Sequence, residues 1–258
     1  MEKRIRISTP SRIHLGFLEL DNSSERIFGS VGLTISKFEN IIEISKNKKF
    51  QIISNNPNTK RRIEEMIIVL KKNYQIHECK IEILKTIPQH IGLGSGTQLT
   101  LAIGSLISEF NNLNLNPKNI SSIFGRGLRS GIGIQSFKSG GFIVDCGKQR
   151  RSNSIPPVFF NSKWPREWKI ILIFDNSKVG VSGKNETQEF KKIAMTHPKI
   201  CKENCKALLM QILPGLMEKN FYFFTKGLQT IQENMSKVFY SNKKKYTSQK
   251  IEKVFKFL

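Results

Sequence analysis

IPQHIGLGSGTQLTLA, at residues 87–102, joins two apolar segments through a turn that is rich in glycine and hydroxyl side chains. The segment before it, KIEILKTI, is strand-like, and GTQLTLAIGSLISEF is typical of a buried helix. A glycine-rich turn before a helix exposes backbone N–H groups, and the helix N-terminus adds a partial positive charge. Ser95 and Thr97 add hydroxyl donors. The stretch therefore predicts a loop that binds a phosphate or diphosphate group.

The loop alone leaves a structural alternative open. It lacks the Gly-Lys-Ser/Thr ending of a P-loop, and its glycine spacing differs from that of the dinucleotide-binding fingerprint. Glycine at these positions would equally serve a tight strand-to-helix connection that binds nothing. Both interpretations stand until other motifs are considered.

The chain has 258 residues, enough for one large domain or two modest ones, and its 38% of hydrophobic residues suffices for a packed core. No apolar run approaches the roughly 20 residues of a membrane span, and no apolar segment of a secretory signal follows MEKRIRISTP. The four cysteines are expected to be reduced thiols, because so long a chain is not a disulfide-rich scaffold. We therefore expect a cytoplasmic, globular protein without a membrane partner.

Lysine and arginine outnumber aspartate and glutamate by 42 to 20, which gives a formal net charge of +22. Three explanations fit, in this order: a solvated lysine-rich surface, attraction of a small polyanionic substrate, and binding of nucleic acid. The cations are scattered, with short clusters at residues 46–49, 60–62 and 243–245. No zinc-finger spacing, long basic helix or arginine–aromatic alternation accompanies them, so no specific nucleic-acid partner is expected.

Hydrophobic periodicity predicts a mixture of strands and helices. The strand-like segments are 4–20 (as one or two strands), 41–45, 80–87, 140–147 and 168–174. The helical segments are 59–75, 96–110, 117–128, 186–195, 201–213 and 217–235. Pro214 and Gly215 are predicted to interrupt the last pair, and residues 154–168 indicate a soft domain boundary. Periodicity by itself supports only a mixed α+β fold.

Five motifs follow one another along the chain: PSRIHLGF (10–17), RIFGSVGL (26–33), IPQHIGLGSGTQLTLA (87–102), GRGLRSGIGIQSFKSGGFIVDCG (125–147) and GVSGKNETQEF (180–190). Together they resemble the GHMP superfamily of small-molecule kinases, and more closely the β-ribofuranosylaminobenzene 5′-phosphate synthase family of tetrahydromethanopterin biosynthesis. The resemblance is specific from about residue 5 to residue 190 and continues weakly beyond.

The resemblance implies an α+β, GHMP-type fold of two domains. The N-terminal domain, over residues 1–160, would resemble a ribosomal-protein second domain and carry the phosphate loop, and residues 161–258 would form a ferredoxin-like C-terminal domain. The family also has a C-terminal glycine-rich segment beside the phosphate loop, whereas this sequence ends at KIEKVFKFL. We therefore expect an incomplete C-terminal domain, either from a truncated gene or in a shortened variant.

The resemblance also implies a reaction. Phosphoribosyl diphosphate loses diphosphate, the ring carbon that bears the carboxylate of 4-hydroxybenzoate or 4-aminobenzoate captures the anomeric carbon, and carbon dioxide leaves. Such a C-riboside synthase, a glycosyltransferase, needs cations for the diphosphate, an acceptor near the para substituent, and exclusion of water. Mg²⁺ is expected with phosphoribosyl diphosphate, and no tightly bound organic cofactor is implied. The partners implied are these small molecules; a homodimer and either benzoate stay open.

An ATP-dependent kinase of the same superfamily is the alternative. GHMP kinases commonly place a catalytic aspartate several residues before the glycine pair of the fourth motif, whereas GIGIQSFKSGG has no carboxylate. This departure favours the synthase over phosphotransfer from ATP. A basic nucleic-acid-binding protein is the third hypothesis.

The predicted catalytic residues are Asp21, Arg26 and His90. Asp21 and Arg26 flank the polar turn DNSSER, where an aspartate is also an ordinary turn residue. His90 precedes the glycine loop and can act as an acid, a base or a phosphate donor. No metal site is predicted, because His197, Cys201 and Cys205 share helical spacing without a fourth ligand.

The predicted substrate- and phosphate-binding residues surround the loop and belong to the first and fourth motifs. They are Gly92, Gly94, Ser95, Gly96, Thr97, Ser11, Arg12, His14, Arg126, Arg129 and Lys138. Arg126 and Arg129 lie among glycines and can clamp a phosphate or a benzoate carboxylate, or else flank a helix end at the surface. His14 is expected to line the pocket, although a histidine in a strand is often purely structural.

Overall fold

The computed structural model describes residues 3–21, 23–174 and 198–239, together with residues 251 and 253. Its strands are β1 (Arg4–Glu19), β2 (Arg26–Lys46), β3 (Gln51–Ile53), β4 (Cys79–Lys85), β5 (Phe142–Asp145), β6 (Lys148–Gln149) and β7 (Val158–Ser162). Its helices are α1 (Pro57–Lys71), α2 (Ser95–Phe110), α3 (Pro117–Ile123), α4 (Ile132–Lys138), α5 (Pro198–Ala207), α6 (Leu213–Met217) and α7 (Phe221–Phe239). The predicted α+β class is confirmed.

The long strand β2 organises the sheet. It pairs antiparallel with β1 along most of its length, with β4 near its C-terminal end and with β5 nearer its start. The strand order is β3-β4-β2-β5-β7, with β1 and β6 also paired to β2. Periodicity predicted only residues 41–45 of β2, because residues 26–40 mix glycine, hydroxyl and charged side chains that hide the alternation. Pairing with β1 keeps this part extended.

Two apolar clusters hold the helices on the sheet. In one, Ile42 and Ile44 of β2 pack with α1 and α2, which bury Ile63 and Ile103 completely. In the other, Phe142 of β5 packs with the C-terminal helices. The predicted burial of α2 is confirmed. Helix α1 begins at Pro57, two residues before its predicted start, because the Asn56 side chain accepts hydrogen bonds from the first N–H groups.

The C-terminal helices differ from the prediction at their junction. The chain continues from α5 through a π-helical segment, Leu208–Ile212, into α6, so Pro214 and Gly215 lie within the helix. The wider π turn precedes the proline, whose missing N–H would otherwise break an ordinary α-helix. The interruption comes only after Met217, and α7 begins at Phe221.

The predicted strand at residues 168–174 is wrong. Trp168 and Leu172 pack against the second cluster, but the segment forms no strand. The place beside β5 at the sheet edge is taken by β7, which arises from the segment predicted as a domain boundary. The apolar segment 168–174 therefore packs against the core without forming hydrogen bonds to a neighbouring strand. The predicted division at residues 160 and 161 falls within β7 and stays a prediction, as do the two domain types.

Two predicted features fall outside the described residues, namely the helix at 186–195 and the fifth motif at 180–190. Within the part of the chain that is described, no helix has both the length and the apolar character needed to cross a membrane.

Candidate active site

The glycine loop leads into α2 through left-handed backbone. Gly92 has φ +84° and Gly94 has φ +72°, a region that strongly favours glycine. Gly94 is the N-cap of α2, and among the described residues no side chain caps this end. Its carbonyl accepts hydrogen bonds from the N–H groups of Thr97 and Gln98. The N–H groups that precede Thr97 at the start of the helix therefore have no partner within the helix.

Arg12 lies directly on this loop. Its Nη1 donates to the carbonyl of Gly92 at 3.2 Å, and its backbone N–H donates to the carbonyl of Leu93 at 3.1 Å. A Cβ atom at Gly94 would come within 3.0 Å of both Cγ and Nε of Arg12. Gly94 is therefore needed twice, for its φ and for the space that the guanidinium occupies.

Arg62, which the motifs did not identify, lies on the same loop from the side of α1. Its Nη2 donates to the Gly96 carbonyl at 2.8 Å and to Thr100 Oγ1 at 3.1 Å. A Cβ atom at Gly96 would lie 3.2 Å from Nη1 of Arg62. The cluster at residues 60–62 was attributed to the surface, yet Arg62 is one helical turn before the buried Met66. That position on the apolar face was the available signal.

Two further predicted arginines belong to this group of side chains. Burial, and then the charge of Arg126, lower the pKa of Arg62 to about 10. Burial, and then the charges of Arg12 and Arg129, lower the pKa of His14 to about 3. These shifts indicate that Arg126 lies near Arg62, and that Arg12 and Arg129 both lie near His14. We call Arg12, Arg62, Arg126 and Arg129 the arginine cluster.

His14 is neutral at physiological pH, because its pKa is about 3. Its Nδ1 accepts a hydrogen bond from the backbone N–H of Gly16 at 3.3 Å, so the ring proton belongs on Nε2. The ring packs against Phe17 with the two ring centroids 4.3 Å apart. His14 therefore lies in a desolvated corner of the cluster and does not serve as a cation.

The beginning of α4 completes this region. A Cβ atom at Gly133 would lie 3.0 Å from Cγ2 of Thr97, and Gln98 donates to the Gly133 carbonyl at 2.7 Å. Helix α4 was not predicted, because its glycines suggested a loop. It starts where the buried carboxylate of Asp145 accepts hydrogen bonds from the N–H of Gly131 and the hydroxyl of Ser130 at 2.9 and 3.2 Å.

Asp145 is the second residue that the motifs did not identify, although it lies in the fourth one. Its other carboxylate oxygen accepts from the N–H of Gly147 at 2.9 Å. Burial raises its pKa, while these hydrogen bonds act in the opposite direction. The side chain joins the end of β5 to the segment that carries Arg129. Asp145 thereby fixes the segment that directly follows Arg129.

The other predicted binding residues take different places. The Ser11 hydroxyl is buried and donates to the Ile35 carbonyl at 3.0 Å, which is a structural contact within the sheet. Ser95 lies beside Arg62 in a small recess that Asn40 and Thr59 also line. Lys138 is exposed in the last turn of α4, roughly 9 Å along the helix from its start. His90 is exposed on the turn before the loop, with φ +60°.

Asp21 and Arg26 are not brought to the glycine loop. Asp21 lies nine residues beyond Arg12, roughly 30 Å along an extended strand. Its Oδ1 accepts hydrogen bonds from the N–H and hydroxyl of Ser23, each at 2.8 Å, as in an ordinary Asx turn. Arg26 donates to the carbonyls of Cys146 and Gly147 at 3.2 and 2.8 Å. Their catalytic roles stay predictions.

Cys201 is a packing residue in the described part of the chain. It is buried, and its sulfur accepts the N–H of Leu20 at 3.5 Å. Burial raises its pKa to about 12, which keeps the thiol protonated. His197, the other end of the considered metal spacing, lies outside the described residues.

Solved structures share this fold. The chain aligns with mevalonate pyrophosphate decarboxylase of Streptococcus pyogenes at a TM-score of 0.65 and 14% identity, covering 99% of this chain and 82% of that one. Phosphomevalonate kinase of Streptococcus pneumoniae gives a TM-score of 0.62 and 10% identity, covering 92% and 79%. The family described as GHMP kinases N terminal domain matches residues 61–144. The fold and the matched family model together define a member of the GHMP superfamily.

Sequence relatives narrow the assignment. The chain is 32% identical over 240 residues to β-ribofuranosylphenol 5′-phosphate synthase of Archaeoglobus fulgidus, covering 89% of this chain and 75% of the relative. The synthase of the same name from Methanocaldococcus jannaschii is 32% identical over 250 residues, covering 88% and 76%. The chain belongs to this family of synthases, and the resemblance drawn from the motifs is confirmed.

Proposed function

We propose that this chain joins the ribosyl group of phosphoribosyl diphosphate to the aromatic ring of 4-hydroxybenzoate, with loss of diphosphate and carbon dioxide. The observation that carries the proposal is the arginine cluster on the glycine loop. Arg12 and Arg62 each occupy the space above a glycine of the loop, Gly94 and Gly96. Cations gathered in this way fit a ligand with several phosphate charges. The phenol in the relatives' names supports the hydroxybenzoate over the aminobenzoate.

The proposed bond changes balance without a redox partner. The anomeric C–O bond breaks, and its electron pair leaves with diphosphate. The ring carbon that bears the carboxylate forms the new C–C bond, helped by electron donation from the para oxygen. The bond from that carbon to the carboxylate then breaks, and its electrons restore the aromatic ring as carbon dioxide departs.

In this proposal the arginine cluster stabilises negative charge that develops on the leaving diphosphate. Fixed cations close to developing charge are effective because they need no reorganisation during the reaction. The corner around His14 is desolvated, and its neutral ring adds no general acid near pH 7.

We also propose that Mg²⁺ takes part in the reaction, bound to the phosphoribosyl diphosphate. Among the described residues, no three histidine, cysteine, aspartate or glutamate side chains group as metal ligands. Those residues do not fit a resident ion, so we expect any magnesium to arrive bound to the diphosphate oxygens. No step of the proposed mechanism is assigned to it.

The kinase alternative has less support. Helix α4, with the sequence IGIQSFK, contains no carboxylate at the position where the kinases carry their aspartate. The likeness to phosphomevalonate kinase, at 10% identity, is a likeness of fold alone. We also propose a cytoplasmic location, which the free thiols of all four cysteines support. A homodimer is a further proposal, to be tested by light scattering.

The test is release of labelled carbon dioxide. Purified protein is incubated with phosphoribosyl diphosphate, Mg²⁺ and carboxyl-labelled 4-hydroxybenzoate, with 4-aminobenzoate in parallel. We expect label in the gas phase only when the phosphoribosyl donor is present, and a larger release from the hydroxybenzoate. Retention of all label by a protein that binds the donor would contradict the proposal. A phosphorylated alcohol formed from ATP would support the kinase instead.

A further inference from the structure

The start of helix α4 packs against the end of α2 that follows the glycine loop. The Gln98 side chain donates to the Gly133 carbonyl at 2.7 Å, and a Cβ atom at Gly133 would come within 3.0 Å of Cγ2 of Thr97. The buried Ile132 side chain fills the space above Gly32 of β2, where a Cβ atom would collide with it. A displacement of α4 would therefore disturb the first turn of α2.

The residues directly before α4 are fixed by one carboxylate, that of Asp145. This side chain is fully buried at the end of β5, and its Oδ2 accepts hydrogen bonds from the Gly131 N–H at 2.9 Å and the Ser130 hydroxyl at 3.2 Å. The same hydroxyl accepts from the N–H of Ile132, the first residue of α4, at 3.3 Å. A Cβ atom at Gly131 would lie 2.6 Å from the carbonyl oxygen of Pro156. The segment is thus enclosed between the carboxylate and the backbone on its other side.

The other oxygen of this carboxylate fixes the turn after β5. Oδ1 of Asp145 accepts from the N–H of Gly147 at 2.9 Å. Gly147 has φ +64°, and a Cβ atom there would collide with the carbonyl oxygen of Ile27 in β2. Arg26 donates to the carbonyls of Cys146 and Gly147 at 3.2 and 2.8 Å. The turn is therefore tied to β2, and Asp145 links this fixed turn to the start of α4.

A buried charge is an energetically unfavourable link between two segments. Burial raises the pKa of Asp145, and within the described part of the chain no lysine or arginine side chain pairs with it. An ionised carboxylate can accept from both N–H groups and the hydroxyl, whereas an asparagine amide would turn its NH₂ group toward one of the two N–H donors. The charge therefore gives the two segments a placement that a neutral side chain of the same shape would not.

We propose that Asp145 is a positioning residue for the proposed reaction: it holds the start of α4, and Arg129 just before it, in place beside the glycine loop. This inference rests on the proposed function, in which Arg129 belongs to the arginine cluster that binds the donor. Asp145 itself acts through these neighbours, since its carboxylate is buried beneath them. A displacement of binding groups by about 1 Å can lower a rate on the order of a hundredfold.

Glu43 provides the matched control, because it is another buried carboxylate of the same sheet. It is 7% exposed and pairs with Arg4 and Arg6 of β1. Asp145→Asn and Glu43→Gln each remove one buried negative charge, but only Asp145 bonds the residues before α4. Ser130→Ala removes only the hydroxyl donor and serves as the second variant where Asp145→Asn fails to fold.

Turnover and binding are measured at a temperature where each variant is folded. Release of labelled carbon dioxide gives kcat, and calorimetric titration of phosphoribosyl diphosphate without the benzoate gives the Kd and the number of molecules bound per chain. For Asp145→Asn we expect kcat to fall roughly tenfold or more, while one molecule still binds per chain and Kd rises by less than about threefold. Ser130→Ala should lower kcat by roughly threefold, and Glu43→Gln should leave kcat unchanged even where its melting temperature falls.

A fall in kcat that is matched by an equal fall in the number of binding sites per chain would overturn the inference, because Asp145 would then only keep the chain folded. So would an unchanged kcat in folded Asp145→Asn, or in Ser130→Ala where Asp145→Asn does not fold. An equal loss of kcat in Glu43→Gln would also contradict it, since any buried carboxylate would then have the same effect. A wild-type protein that neither binds phosphoribosyl diphosphate nor releases label contradicts the proposed function itself.

Discussion

Two groups of arginines in this protein have different surroundings. At the start of β1, Arg4 and Arg6 both pair with the carboxylate of Glu43, which is 7% exposed on the neighbouring strand. At the glycine loop, Arg12 and Arg62 instead donate hydrogen bonds to backbone carbonyls. Burial, and then the charge of Arg126, lower the pKa of Arg62 more than the charge of Glu65 raises it. The first group is paired with a carboxylate of the neighbouring strand, whereas the second is the group that we propose binds the phosphorylated substrate.

The difference shows why the net charge is a poor guide to function. The formal charge of +22 raised three explanations, and most of it lies on scattered lysines. Arginines next to carboxylates add modest stability and no binding capacity. Arginines that are gathered over a glycine loop create a local field that a phosphorylated ligand can use. The arrangement of the cations, and not their number, identifies the site.

The largest loss is expected from Gly94→Asp. The left-handed φ and the Arg12 side chain within 3.0 Å oppose any Cβ atom, and the new carboxylate would both repel phosphate and pair with Arg12. We expect affinity for phosphoribosyl diphosphate to fall on the order of a hundredfold or more, by calorimetry. Gly92→Ala is the control, because its φ is also positive but its Cβ would meet nothing within 4 Å. Unchanged affinity in a folded Gly94→Asp protein would remove the loop from the site.

A direct contrast comes from Arg12→Gln and Arg4→Gln, on the same strand. We expect Arg12→Gln to lower kcat/KM by roughly tenfold or more, because a charged contact to the ligand is lost. Arg4→Gln should leave kcat/KM unchanged and reduce the free energy of unfolding by no more than about 1 kcal/mol, since its side chain is 66% exposed. Steady-state kinetics and urea unfolding measure the two effects. Equal losses of activity in both variants would show that only total charge matters.

His14 predicts a pH dependence of stability. The pKa is about 3 in the folded protein and about 6.5 unfolded, so between these values the unfolded chain binds the extra proton. Stability therefore falls as the pH is lowered through this range, by at most about 1.4 kcal/mol per pH unit. Urea unfolding at pH 4 to 7 should give a shallower dependence for His14→Gln than for wild type. Identical slopes would mean that His14 has the same pKa in the folded and the unfolded protein.

The smallest expected effect is binding of nucleic acid. Counterion release depends on how many phosphates are neutralised together, and the scattered lysines cannot engage many at once. Titrations with labelled RNA and DNA near physiological salt should show weak binding without sequence preference. Tight, sequence-selective binding would mean that the basic surface is the functional one.

Local sequence chemistry predicted much of this fold because it acts over short distances. The glycine loop, the buried helix α2 and the amphipathic helix α1 all follow from periodicity and turn residues near one another. The strand at residues 168–174 was wrong because β7 occupies the edge beside β5, which is a tertiary competition that no short window contains. Helix α4 was not predicted, and the residue before it, Gly131, is held by a carboxylate from a later strand, Asp145.

The site was predicted in the same partial way. Arg12 of the first motif lies on the loop, and it acts on His14 together with Arg129 of the fourth motif. Arg62 was missed because it reaches the loop from α1, 34 residues before the carbonyl that it bonds. Asp21 was predicted to be catalytic because it lies in a polar turn. In the structure its carboxylate accepts two hydrogen bonds from Ser23. The motifs predicted the loop and three of the four arginines, while the fourth, Arg62, is brought to the loop by the packing of α1.

The most direct test compares two double variants that remove equal charge. Phosphoribosyl diphosphate is titrated calorimetrically into wild type, Arg4→Gln/Arg6→Gln and Arg12→Gln/Arg62→Gln. The account predicts one bound molecule per chain for wild type, the same affinity for the first double variant, and no measurable binding for the second, with all three proteins folded. Undiminished binding by Arg12→Gln/Arg62→Gln would contradict the claim that cations gathered at the glycine loop form the substrate site.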